Sequence, residues 1–152
     1  MQFTSSNKNE VALTILNQID DAIERIKQRT KDIKCSNEFL LSDDGMEKLE
    51  ATCMLLTAIG ESLKNLDKVT DGELLPTYQS IPWKEVKGLR DIIVHHYFDI
   101  DPEEIWEIVD KELEPLQCAI RYFIKNISVE VKNNIPNKNI QKISLRRRGR
   151  RM

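Results

Sequence analysis

The sequence predicts an all-α protein: an antiparallel, four-helix-type bundle with a kinked last helix and a disordered, basic C-terminal tail. Three observations lead there. Apolar residues recur at three- and four-residue steps through four separate stretches. Five Gly and five Pro in 152 residues are too few for a loop-rich all-β design. The linkers between the stretches are modest, which sets neighbouring helices antiparallel. The length suits one domain with a real core, expected over residues 1–130, with the tail over residues 131–152.

The first stretch places Val11, Ile15, Ile19, Ala22, Ile23 and Ile26 on one face, with Ile33 a heptad beyond Ile26. Asp20, Asp21, Glu24, Arg25, Lys27 and Arg29 fill the other, so an amphipathic helix is expected from Lys8 to Lys34. Cys35 to Leu41 reads as a connection in which Phe39, Leu40 and Leu41 pack back on the core. Ser42 or Asp43 can cap the second helix, whose first turn holds Asp44 and Glu47. Met46, Leu49, Cys53, Leu56, Ile59, Leu63 and Leu66 form its apolar stripe. Gly60 interrupts that stripe at a cost of about 1 kcal/mol relative to Ala. Close packing against another helix is the favoured reason. Glu61 beside it is expected to pair with Arg90.

Asp67 to Pro82 reads as a linker, since Asp71-Gly72, Pro76 and Pro82 oppose continued helix. Ile81-Pro82-Trp83 leads into the third helix, where Trp83, Val86, Leu89 or Arg90, Ile93 and Tyr97 share a side. Asp101-Pro102 opens the fourth, with Pro at its first position and Glu103-Glu104 in its first turn. Ile105, Ile108 or Val109, Leu113, Leu116, Ile120, Phe123 and Ile127 carry the last stripe, and Pro115 predicts a kink between Asp110 and Glu114.

The formal charge of −2 conceals an asymmetry. Seven of the 23 basic residues lie from Lys138 to Met152 with no acid among them, so 16 bases face 25 acids before that point. Arg146, Arg147, Arg148, Arg150 and Arg151 give the tail the chemistry to contact RNA phosphates, although such an end can equally be solvated without a partner. No run approaches the roughly 18 apolar residues of a membrane span. The polar stretch from Met1 to Glu10 lacks a signal-peptide core, so no membrane association and a cytoplasmic location are expected. Cys35, Cys53 and Cys118 are odd in number, far apart and without a CxxC pair, as expected of reduced core thiols. No metal site and no cofactor are expected.

Chemistry concentrates in the stretch Leu89 to Asp101, which holds both histidines, His95 and His96. Arg90 precedes His95 by five residues and Tyr97 follows it by two. A permanently cationic guanidinium suits phosphate, and an imidazole moves protons near neutral pH. The same three residues could instead form a buried hydrogen-bond network that fixes packing. In an ideal helix Arg90 and Tyr97 lie about 20° apart, whereas His95 lies about 140° from Arg90. One regular helix does not aim Arg90 and His95 at one point, which favours a cleft between two subunits.

The pattern Arg90-x4-His95-x-Tyr97 resembles the R-x4-H-x-Y signature of HepT-like toxins, within the HEPN superfamily of all-helical domains. Ala58-Ile59-Gly60-Glu61, Ile81-Pro82-Trp83 and Tyr97-Phe98-Asp99-Ile100-Asp101 extend the likeness over about residues 8–125. The resemblance implies a HEPN-like homodimer acting as a metal-independent endoribonuclease on an RNA substrate. Arg90 and His95 of both subunits would line a shared cleft as catalytic residues, with Glu61 and Asp91 in support. It further implies a toxin–antitoxin partner, an MntA-like nucleotidyltransferase antitoxin that transfers AMP from ATP to Tyr97. Asp91 stands where the superfamily usually carries a polar residue, often Asn, and an acid there opposes phosphate binding. His96 occupies a variable position of the motif. The other reading implied by the superfamily is a non-catalytic nucleotide- or substrate-binding module that works with a nucleotidyltransferase.

Overall fold

The computed structural model describes the backbone over residues 5–150 and the side chains over residues 7–133. Five α-helices appear there: α1 (Ser5–Thr30), α2 (Asp43–Val69), α3 (Trp83–His95), α4 (Pro102–Glu107) and α5 (Leu113–Arg150). A π turn, Ile108–Glu112, joins α4 to α5, so these three pieces are the expected fourth helix, and no strand occurs among the described residues. The fold is an all-α bundle in which α1 packs on α2 and α5, and α2 carries α3.

The π turn lies where Pro115 predicted a kink. Pro115 has no N–H to give the carbonyl of Lys111, and its ring crowds that turn. The chain widens just before it, with the Leu113 N–H reaching five residues back to Ile108 O. At the start of α4, Asp101 accepts from Glu103 N at 2.9 Å and Pro102 fills the first position, as the sequence indicated. Ser42 is the residue that caps α2, accepting from Gly45 N at 3.0 Å.

The core draws Leu16, Ile23 and Ile26 from α1, Leu56, Ile59, Leu63 and Leu66 from α2, and Leu113, Ile120 and Phe123 from α5. Each such side chain contributes about 1.5–3 kcal/mol when fully buried. Two expectations shift. The buried face of α1 begins at Ala12 and Leu16, while Val11 is exposed and Ile15 only half-buried; the stripe is rotated by one residue at its N-terminal end. In the connection after α1, the short 3-10 turn Ser36–Phe39 buries Phe39, but Leu40 and Leu41 point outward. One ring fills the space available there.

A polar seam locks α1 to α5. Gln117 is buried, and its amide donates to Asp20 Oδ1 at 3.1 Å and Glu24 Oε2 at 2.9 Å while its carbonyl accepts from Lys27. All three polar requirements of the buried amide are therefore met, which avoids the penalty of an unpaired group. The hydrogen bond from Gln117, aided by one from Gln28, holds the Glu24 carboxyl below its ordinary range.

An aromatic cluster fixes the beginning of α3. Trp83 is buried against Phe123, ring centroids 5.9 Å apart, and its Nε1 donates to Tyr78 O at 2.9 Å. Tyr78 in turn stacks at a tilt on Tyr122, 5.4 Å away. Trp83 thus gives an apolar body to the core and a satisfied polar tip to the linker.

The backbone of α5 is helical to Arg150, through the segment expected to be a disordered tail from residue 131. The side chains of Arg146, Arg147, Arg148 and Arg150, and the whole of Arg151, lie outside the described residues, and the expected RNA contacts lie there with them.

Candidate functional site

Helix α3 lies on α2 so closely that the two backbones nearly touch at Gly60. A Cβ on Gly60 would stand 3.1 Å from Arg90 Cβ, 3.2 Å from Arg90 N and 3.2 Å from Lys87 O. The glycine interrupting the apolar stripe of α2 therefore makes room for the Arg90 turn of α3. Close packing, the reason read from the sequence, is what the structure shows.

Above that contact Arg90 sits within a chain of alternating charges. Its Nη1 donates to Asp91 Oδ1 at 2.9 Å, and its Nε lies 3.5 Å from Glu61 Oε2. The second oxygen of Asp91 accepts from Lys64 Nζ at 3.1 Å. The expected Glu61–Arg90 pair is present, and Asp91 binds the same guanidinium. The Asp91 hydrogen bond, with the Glu61 and Asp91 charges, pushes Arg90 above its ordinary value. The Arg90 and Lys64 hydrogen bonds hold the Asp91 carboxyl below the usual carboxylate range. Arg90 remains cationic and Asp91 anionic throughout the neutral range. The Arg90 side chain is 39% exposed, so it can reach a ligand in solvent.

His95 is the last residue of α3 and is exposed. Five residues along a regular helix turn it about 140° from Arg90 and carry it about 7.5 Å along the axis. Asp91, at about 100°, falls between them on the outward face. The structure keeps α3 regular as far as His95, so the divergence expected from the sequence is real within one chain.

Tyr97 departs from its expected place. The helix stops at His95; His96, with φ −127° and ψ 28°, turns the chain, and Tyr97–Asp99 form a separate 3-10 turn. Tyr97 is therefore not on α3, and the angle of about 20° to Arg90 does not apply. The physical reason lies at the C-cap: His96 donates its backbone N–H to Ile92 O and then leaves helical geometry. The Tyr97 ring, 44% exposed, divides two grooves on the surface of α2. One, of about 670 Å³, is floored by Glu50, Cys53, Met54 and Val94; the other, of about 310 Å³, by Leu49, Phe98 and Ile100. Burial, then the nearby Glu50 and Cys53, raise the Tyr97 hydroxyl above its ordinary value.

Several large apolar side chains near these groups are exposed. Ile92 and Val94 on α3, Met54 on α2, and Phe98 are all half or more exposed, Phe98 at 98%. Single exposed apolar residues are ordinary. Among the described residues no group of three or more His, Cys, Asp or Glu side chains could hold a metal ion, and no helix is long and apolar enough to cross a membrane.

Sequence reasoning found Arg90, Asp91, Glu61, His95 and Tyr97 and missed two neighbours. Lys64 lies one helical turn beyond Gly60 and so shares its face, a spacing that could have marked it. Glu50 beside Tyr97 had no such signal, because the turn that brings Tyr97 to α2 was not foreseen.

Comparison with known proteins supplies independent findings. The family model described as Ribonuclease HepT-like matches residues 19–123. "Putative RNase MJ0127" of Methanocaldococcus jannaschii is 36% identical over 121 residues, covering 80% of this chain and 90% of that protein. "Putative RNase TTE0752" of Caldanaerobacter subterraneus subsp. tengcongensis is 32% identical over 111 residues, covering 73% and 88%. "Gamma-glutamylcyclotransferase and putative RNase MJ0434" of M. jannaschii is 34% identical over 119 residues, 78% of this chain; the match spans only half the length of that relative. No solved structure matches the chain significantly.

Proposed function

Because the chain belongs to the HepT-like ribonuclease family, we propose that it is a metal-independent endoribonuclease toxin acting on cytoplasmic RNA as a homodimer. The observation that carries this reading is the placement of Arg90 and His95 on one exposed helix, Arg90 set by the Gly60 contact and His95 exposed at the helix end. Their divergence of about 140° is what a cleft shared by two copies accommodates. Arg90 from one α3 and His95 from the other then flank one phosphate, and burial of Ile92, Val94 and Phe98 between the copies favours the pairing.

In the proposed reaction a ribose 2′-oxygen attacks the adjacent phosphorus and the bond from phosphorus to the 5′-oxygen breaks. One His95 takes the proton of the 2′-hydroxyl as general base, and the other gives a proton to the departing 5′-oxygen. Arg90 stabilises the charge that builds on the phosphorane, a role for preorganised cations in a shielded cleft. The products carry a 2′,3′-cyclic phosphate and a 5′-hydroxyl, and DNA, lacking the 2′-hydroxyl, is not cut.

Neutralisation completes the proposal. An MntA-like nucleotidyltransferase antitoxin would transfer AMP from ATP to Tyr97: the phenolic oxygen attacks the α-phosphorus and pyrophosphate leaves. The proton of the phenol would pass to a base on the transferase. The nucleotide would fill the grooves beside Tyr97 and add a negative charge that repels RNA. Induced expression tests the toxin reading. The wild-type chain should arrest growth and His95→Ala should not; harmless wild-type protein at equal abundance would favour a nucleotide-binding module.

A further inference from the structure

We propose that Lys64 is a positioning residue for RNA binding, acting through Asp91 to keep Arg90 available to a phosphate. The proposal rests on the ribonuclease reading for its substrate and on the α2–α3 contact for its geometry.

Arg90 faces two carboxylates. Asp91 takes Nη1 at 2.9 Å and Glu61 lies 3.5 Å from Nε, so without further charge the cluster is net negative. A phosphate approaching Arg90 would meet one cation and two anions. Lys64 corrects this balance. Its Nζ lies 3.1 Å from Asp91 Oδ2, the oxygen that Arg90 does not use, and its side chain is one-third exposed. Two cations and two anions then alternate as Glu61, Arg90, Asp91 and Lys64.

The arrangement also offers Asp91 somewhere to go. When a phosphate oxygen takes the Nη1 donor of Arg90, Asp91 loses one hydrogen bond and keeps the other. A carboxylate left with a cationic donor is not stranded beside the incoming anion. Lys64 and Arg90 stand on different helices, and Gly60 sets the distance between them. The acid next to Arg90, which by itself opposes phosphate binding, is thereby made compatible with it. One of the three donors of the Lys64 ammonium is given to Asp91, and it is through that carboxylate that Lys64 acts on Arg90.

The experiment uses the full chain and two labelled single-stranded RNAs, one cleavable and one 2′-O-methylated to block cleavage. The variants are Lys64→Met, Lys64→Arg, and Lys64→Met combined with Asp91→Asn. The expected result is that Lys64→Met raises the Kd for methylated RNA and the KM for cleavable RNA by about threefold to tenfold, the size of one partly screened charge. kcat should change far less, and Lys64→Arg should bind as wild type. Adding Asp91→Asn to Lys64→Met should restore affinity, because the carboxylate that Lys64 offsets is gone. Wild-type affinity in Lys64→Met overturns the proposal, as does a double variant as weak as Lys64→Met alone. If no variant cleaves RNA yet the affinities follow the expected order, the positioning role stands and the ribonuclease reading fails.

Discussion

Gly60 leaves room for Arg90: a methyl group at position 60 would meet Arg90 Cβ at 3.1 Å and Arg90 N at 3.2 Å. The first prediction follows from the atoms involved. Ala in place of Gly should favour the helix by about 1 kcal/mol, whereas crowding a packed contact costs about 1–3 kcal/mol. Two of the crowded atoms are backbone and cannot rotate aside, so crowding wins. Gly60→Ala should lower stability slightly, and Gly60→Val by more, in urea unfolding. Both should reduce RNA cleavage by more than the folded fraction falls, since it is the Arg90 turn that moves. Full activity in a stable Gly60→Val protein would show that the contact does not set Arg90.

Arg90→Lys tests the fork of donors. Arg90 reaches Asp91 through Nη1 and faces Glu61 through Nε at once, with its side chain 39% exposed. An ammonium group is a single point and cannot reproduce that division. Cleavage should fall by about 10²-fold, the scale of losing one preorganised transition-state donor. Thermal melting should shift little, because exposed ion pairs contribute little to stability. Cleavage within a few-fold of wild type would remove Arg90 from the chemistry.

Tyr97→Phe should separate neutralisation from catalysis. Incubation with ATP and the cognate nucleotidyltransferase should add AMP to the wild-type chain, seen by intact mass, and none to Tyr97→Phe. RNA cleavage by the unmodified variant should match wild type, since the Tyr97 ring lies on α2 beyond the end of α3. AMP appearing on another residue would overturn the assignment of Tyr97.

The thiols give a prediction independent of function. Cys53 is 3% exposed, and burial, with the Glu50 charge, pushes its pKa up to about 11 from 9.0. Cys35 and Cys118 are exposed. A thiol reagent at pH 8 should therefore modify two cysteines quickly and the third only in denaturant. The raised folded-state value means that the stability Cys53 contributes is fully present below pH 9 and is lost as pH rises through about 11. Three equally fast thiols in native protein would contradict this packing.

The sequence made the bundle readable because periodicity, caps and Pro115 all report local physics. Ser42 and Asp101 cap the helices where expected, and the π turn falls beside Pro115. Glu61 and Arg90 meet because Gly60 marks the crossing of two helices, something a glycine inside an apolar stripe discloses. Tyr97 was misplaced for an equally physical reason. The apolar pattern continues past His95, and nothing in the residue types of His96 and Tyr97 signals that the helix stops. Lys64 escaped notice because a lysine on a polar face has no meaning until its partner helix is in place. Val11 failed at a helix end, where the stripe can rotate by one residue without breaking the pattern.

The central claim, that Arg90 and His95 cut RNA without a metal, is tested most directly by one assay. Purified protein, shown by intact mass to carry no AMP, is mixed with a labelled RNA pool in excess chelator, with His95→Ala alongside. The account predicts fragments ending in 2′,3′-cyclic phosphate from the wild type and none from His95→Ala. Intact RNA with the unmodified wild type, or cleavage that appears only when a divalent cation is restored, would contradict it.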